Sequence, residues 1–343
     1  KLAVDSMNAN YAAAGKTQLQ LSKGTRLLSP ADDPAAAAEV LSLVQVEKVN
    51  GQYQKNIDAA NARLGLQDTT MQSTVDLLQR IREIALQSNT SALNTENRVA
   101  LAAEVEQHLS AILGYANTKD AGGEYLFSGY QSHVKPFTKD LATGDYIYAG
   151  DEGQRYLQIG PSQQVATTDS GTTIFRSIPD GNGIFVAFAD TANTGTAEIN
   201  QGAVNGQFIA DRYTITMTQT LPTDPITYAI DDSSGTTIQT GTSVDGDTLN
   251  FNGAEIVISG LPMNGDVFHV DPSGKRDVFG IIDDFIEVLK VPAITPSATE
   301  NLNEVISTTL DGLDRAINNM LSTRAEIGAR LNSVDAQKVS NDS

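Results

Sequence analysis

The chain has 343 residues and carries 42 acidic against 23 basic side chains, a net charge of −19. That balance repels nucleic acid and anionic membrane, and no apolar run approaches the roughly 20 residues that span a bilayer. Cysteine is absent, which excludes a disulfide framework, thiolate zinc sites and a cysteine nucleophile together.

The first segment, Lys1-Leu2-Ala3-Val4-Asp5, has neither an initiator Met nor the charged, apolar and small-residue regions of a signal peptide. We expect a cut end. Val4, Met7, Tyr11, Ala14, Gln18 and Leu21 follow the alternating three-and-four spacing of one apolar stripe, which predicts a helix. Ser29-Pro30-Ala31-Asp32-Asp33-Pro34 then breaks it. Ser29 is pushed out of helix by the proline that follows. Asp33 is placed to cap a second helix whose first residue is Pro34, where its charge suits the helix dipole.

Residues 34–120 are rich in Ala, Leu, Gln, Asn and Glu. Ile57, Leu64, Met71, Leu78 and Ala85 recur every seven residues, and Ala102, Val105, Leu109, Ile112 and Ala116 make a third stripe. Residues 124–178 read as hairpins packed on the helices. Beyond them, period-two patterns (Tyr213, Ile215 and Met217 between threonines; Ile256 and Ile258 beside Val257 and Ser259) alternate with turn signals such as Ser234-Gly235 and Asn252-Gly253. These predict a small antiparallel β domain over 179–273. The last segment returns to heptads: Ile306, Leu313, Met320, Ile327 and Val334 lie seven apart, with Arg324 breaking a flanking stripe. It ends without a cap.

The expected fold class is therefore α+β: a discontinuous bundle of long coiled-coil-like helices with β-hairpins and an inserted antiparallel β domain. We divide it as 1–33, a terminal-helix stub and joint; 34–178 plus 274–343, a helical rod; and 179–273, the β insertion.

No catalytic constellation emerges. His108, His133 and His269 are far apart, with no helical metal-ligand spacing and no G-x-S-x-G elbow. Gly181-Asn182-Gly183 and Ser273-Gly274-Lys275-Arg276 lack the full dinucleotide and P-loop patterns and read as turns, as does Asp245-Gly246-Asp247, which lacks the bidentate Glu of a calcium loop. Neither a catalytic residue nor a cofactor or metal is expected.

Three segments carry a resemblance. Leu21-Ser22-Lys23-Gly24-Thr25-Arg26 with the Ser29–Pro34 joint, Leu78-Gln79-Arg80-Ile81-Arg82-Glu83-Ile84-Ala85, and Arg324-Ala325-Glu326-Ile327-Gly328-Ala329-Arg330-Leu331-Asn332 together resemble the bacterial flagellin family. Within it, Gly122-Gly123-Glu124-Tyr125-Leu126-Phe127-Ser128-Gly129-Tyr130 followed by Pro136-Phe137 is similar to the subunit that joins hook to filament. The resemblance implies a structural protein, secreted through the flagellar type III apparatus and placed at the extracellular hook–filament junction. Its implied partners are hook-associated protein 1, flagellin, copies of itself and an export chaperone. It also implies further helix beyond both ends of this sequence. Assembly would use the stripes Val4, Met7, Tyr11 and Leu21 and Ile306, Leu313, Met320, Ile327 and Val334.

Alternatives are flagellin proper and, more distantly, an adhesive or carbohydrate-binding protein with its site in 179–273, where Tyr213 and Tyr228 are the best stacking residues. In some flagellins the segment matching 78–88 is read by Toll-like receptor 5, which would make Arg80, Arg82 and Ile84 contact candidates. The competing reading is a solvated arginine face with Ile84 in the core.

Overall fold

The computed structural model describes residues 2–89, 94–221, 223–292 and 296–342. Among the described residues, the helices α1 (Leu2–Lys23), α2 (Pro34–Ser88) and α3 (Thr95–Ala116) precede a run of short strands in the chain, and α4 (Val278–Lys290) and α5 (Pro296–Asp342) follow it. In chain order these are β1 (Phe137–Lys139), β2 (Tyr146–Tyr148), β3 (Tyr156–Gln158), β4 (Gln164–Ala166), β5 (Ile178–Pro179), β6 (Phe185–Ala189), β7 (Glu198–Ile199), β8 (Ala203–Val204), β9 (Tyr213–Thr218), β10 (Thr227–Asp231), β11 (Thr237–Thr242), β12 (Thr248–Phe251), β13 (Ala254–Ser259), β14 (Val267–Pro272) and β15 (Lys275–Arg276).

The chain forms two compact units. In the first, residues 2–60, 157–165 and 333–342, the end of α5 meets α2 and the β3–β4 hairpin. Asn56 donates to Gln158 O at 2.7 Å, Asn341 donates to Ile159 O at 2.9 Å, and Lys338 pairs with Asp58 at 3.2 Å.

The second unit, 61–156 and 166–332, holds the main core. Leu64, Met71, Leu78 and Ala85 of α2, all five residues of the α3 stripe, and Ile306, Leu313, Met320 and Ile327 of α5 are buried, as their spacing requires. Capping sets the helix ends: Asn94 accepts from Asn97 N–H at 2.8 Å, and Asp277 accepts from Gly280 N–H at 2.7 Å. Helix α4 buries Val278, Phe279, Ile281, Ile282, Phe285, Ile286, Val288 and Leu289 on one half of its surface, leaves Asp283, Asp284, Glu287 and Lys290 on the other, and packs against α3. Phe279 meets Phe137, Tyr146 and Phe175 at centroid distances of 5.1–5.7 Å, which ties the β1–β2 hairpin and a π-helical turn at Thr172–Arg176 to the helices.

The β insertion is two antiparallel sheets over one core. The larger has the order β11-β10-β9-β14-β6; the smaller is β12-β13-β7, with β8 also pairing β13. Tyr213, Ile215 and Met217 point inward with Ile256, Ile258, Phe268 and Val270, while the intervening threonines face solvent. The Asn252-Gly253 turn joins β12 to β13 with both residues at positive φ (45° and 84°), the two-residue turn that the Asn-Gly dipeptide favours. The chain enters and leaves through β5 and β15, which pair with each other.

Candidate assembly surface

Helix α1 ends in a Schellman motif. Gly24 takes φ 64°, Thr25 N–H donates to Gln20 O at 3.2 Å, and Gly24 N–H donates to Leu21 O at 3.4 Å. Asp32 organises the joint that follows. It accepts from Leu28 N–H (3.1 Å) and Ser29 N–H (3.0 Å), and its other oxygen meets Lys16 Nζ at 2.6 Å. The Lys16 ammonium, then the Ser29 amide, hold its carboxyl below the usual carboxylate range. Asp33 caps α2 through Ala36 N–H at 3.1 Å, with Pro34 at the first helical position. This is the capping arrangement that the sequence indicates.

On the α1 stripe, Val4, Met7, Tyr11 and Leu21 are 59–84% exposed. A second exposed region went unread in the sequence. Val40, Leu41, Leu43, Val44, Val46 and Val49 at the start of α2 are all exposed, and at 100° per residue they surround the helix rather than line one face. A helix apolar on every side normally lies buried. The signal was present as a heptad pattern that begins only at Ile57, preceded by apolar residues with no preferred face.

The C-terminal stripe is different. Ile306, Leu313, Met320, Ile327 and Val334 are each at most 1% exposed, so they are core of this chain and offer no surface to a neighbour. The physical reason is that α5 already has partners within its own chain. Arg324 bonds Asp68 at 2.8 Å and also Gln72, Arg82 holds Asp314 at 2.6 Å, and Ile281 of α4 packs over Gly312. Val339, near that end, is 72% exposed.

The 78–88 segment divides in the same way. Ile84 is fully buried and therefore no surface contact. Arg80 bonds Glu104 at 2.8 Å and Glu83 at 3.0 Å. Arg82 makes its two bonds to Asp314. Both guanidiniums are engaged at the surface, and their carboxylate partners raise their pKa values.

The 122–137 segment builds a polar joint. Glu124 accepts from Arg155 at 2.7 Å, Arg63 at 3.2 Å and Ser132 at 3.2 Å. The Arg155 bond leads in lowering its carboxyl to about 2. Phe127 is fully buried, and Gly129 at φ 68° lets Asp151 lie where a Cβ would be. Nearby, the buried Asp169 takes both oxygens of its carboxylate to Arg330 (3.0 and 2.8 Å) and also accepts from Gln67 and Gln154. Among the described residues no cluster of metal-ligating side chains occurs, and no helix is long and apolar enough to cross a membrane.

Residues 2–132 match the family described as the bacterial flagellin N-terminal helical region. The crystal structure of flagellar hook-associated protein 3 from Legionella pneumophila superposes with a TM-score of 0.81 at 32% identity, over 88% of this chain and 94% of that one. The chain belongs to the hook-associated protein 3 family. FlgL of Xanthomonas campestris matches with a TM-score of 0.76 at 31% identity, over 86% of this chain and 94% of its own. Hook-associated protein 3 of Escherichia coli (strain K12) is 28% identical over 170 residues, 48% of this chain. The chain spans about half the length (52%) of that curated relative.

Proposed function

We propose that this chain is a structural subunit of the bacterial flagellum that joins the hook to the flagellin filament and acts by assembly, not by catalysis. The observation that carries the reading is the paired exposure of the α1 stripe and of the apolar start of α2 in a member of this family. Burying Val4, Met7, Tyr11 and Leu21 against neighbouring subunits would supply on the order of 6–12 kcal/mol before ordering costs. That is enough to drive association and too little to hold α1 packed when it stands alone. The partners are hook-associated protein 1 on one side, flagellin on the other, copies of this chain around the axis, and an export chaperone before assembly. The site of action is the extracellular hook–filament junction.

The test is genetic. In a strain lacking its own junction subunit, the gene carrying Met7→Asp and Tyr11→Asp should leave hooks intact while flagellin escapes into the medium. Immunogold labelling with antibody against residues 179–273 should mark a narrow band where hook meets filament. Filaments of normal length in the double variant, or gold along the whole filament, would overturn the reading.

A further inference from the structure

The outer edge of β11 is an open strand edge with unusual charge placement. Ser243 N–H donates to Ile226 O at 2.8 Å. With the register Thr227↔Thr242, Tyr228↔Gly241 and Ile230↔Gln239, residues 239, 241 and 243 occupy the hydrogen-bonded pairs with β10. Thr240 and Thr242 therefore turn their N–H and C=O groups away from β10, and Ile238 is the extra residue at the register shift. β11 ends its sheet, with no further strand beside it among the described residues. Gln239 reaches inward to the Tyr228 hydroxyl at 3.1 Å, whereas Ile238, Thr240 and Thr242 face solvent.

Open edges are normally blunted by lysine, proline or a central bulge. Residues 236–244, Thr-Thr-Ile-Gln-Thr-Gly-Thr-Ser-Val, contain neither a charge nor a proline, and the register irregularity lies at Ile230/Asp231, toward one end. Six of the nine are β-branched, which suits a further strand. Carboxylates bracket this neutral stretch: Asp231 and Asp232 at the turn, Asp245 and Asp247 at the other end. Asp232 accepts from the Ser234 hydroxyl at 2.6 Å and from Thr236 N–H at 2.9 Å, and the Ser234 bond leads in lowering its pKa.

Two copies pairing antiparallel about Thr240 would set Asp245 and Asp247 of one beside Asp232 of the other, at both ends. That is a like-charge arrangement that opposes self-pairing. A strand with a neutral centre and basic ends meets the same carboxylates favourably, in either direction. We propose that the outer edge of β11 is a strand-addition site for an extended, uncharged segment flanked by lysine or arginine, supplied by another protein. It is separate from the α1 surface and independent of the junction role.

The test titrates the whole chain into a fluorescein-labelled peptide, Lys-Lys-(Thr-Val)3-Thr-Lys-Lys, and into its twin with glutamates in place of the lysines, at low salt. The basic peptide should bind saturably and at least about tenfold more tightly than the acidic one. Thr240→Pro removes only an outward N–H, so it should weaken binding about tenfold while leaving the thermal melt nearly unchanged. Thr240→Lys, which keeps the backbone intact, should weaken it as well through repulsion. No saturable binding, equal binding of the two peptides, or binding indifferent to both Thr240 variants would overturn the proposal. So would a dimer of the unliganded chain that Thr240→Pro abolishes, because that would make a second copy the occupant.

Discussion

Two carboxylates do different work in this chain, and their partners decide which. Glu124 sits between Arg63 and Arg155, and its pKa falls to about 2 from an ordinary 4.5, with the Arg155 bond as the main cause. A lowered folded-state pKa contributes stability that is complete above pH 4.5 and is lost as pH falls through 2. Glu124→Gln should therefore cost about 1–2 kcal/mol at neutral pH, allowing for solvent screening. It should also flatten the dependence of Tm on pH between 4.5 and 2; an unchanged slope in calorimetry would show that Glu124 is not the titrating group. Asp32 acts locally by closing the joint onto Lys16. In Asp32→Ala the amides of Leu28 and Ser29 lose their acceptor and should exchange with solvent roughly tenfold faster, with global stability little altered. Asp33 was legible because capping is a local rule. The contacts of Arg63 with Asp120 and of Asp169 with Arg330 were not, since the partners lie 57 and 161 residues apart in sequence.

At the level of helices, periodicity identified the stripes of α1, α2, α3 and α5 but not that of α4, and not what covers them. The α1 and α5 heptads look alike on paper. One is exposed, and the other is packed within its own chain against α2 and α4. Heptad spacing states that a face needs a partner, and it is silent on whether that partner is intramolecular. The difference is measurable in the purified monomer. Met320→Ala empties a fully buried site and should cost 2–5 kcal/mol in denaturant unfolding. Met7→Ala, at 59% exposure, should change stability by less than about 0.5 kcal/mol. A comparable loss from both would mean that α1 is covered in solution. The strands show a similar limit. The Asn252-Gly253 hairpin could be read directly, but β14 pairing with both β6 and β9, and β13 with β7, depends on long-range closure that local patterns do not encode.

Across the whole molecule, the way the β insertion is attached determines how separable it is. Its entry and exit strands, β5 and β15, are neighbours in one antiparallel ladder, with Pro179 opposite Lys275. Asp180 N–H donates to Gly274 O at 3.1 Å and the Ser273 hydroxyl donates to Asp180 O at 2.8 Å. Residues 180–274 therefore begin and end within a few ångströms of each other, and an Asn-Gly turn fits the gap they leave. The insertion carries its own core of Phe185, Tyr213, Ile215, Ile230, Ile256, Phe268 and Val270, so its removal takes that core away whole. What the helices lose is the bond from Arg315 to Gly181 O and the neighbourhood of Glu198, whose charge, after burial, raises the pKa of Glu304. Replacing 180–274 by Asn-Gly should yield a folded helical protein with a lower Tm, its far-UV spectrum shifted toward helix, that still supports filament growth. A chain that unfolds or aggregates on excision would mean that the helices need the insertion to fold. A folded chain that fails to support filaments would move an essential contact out of the helices and into the β domain.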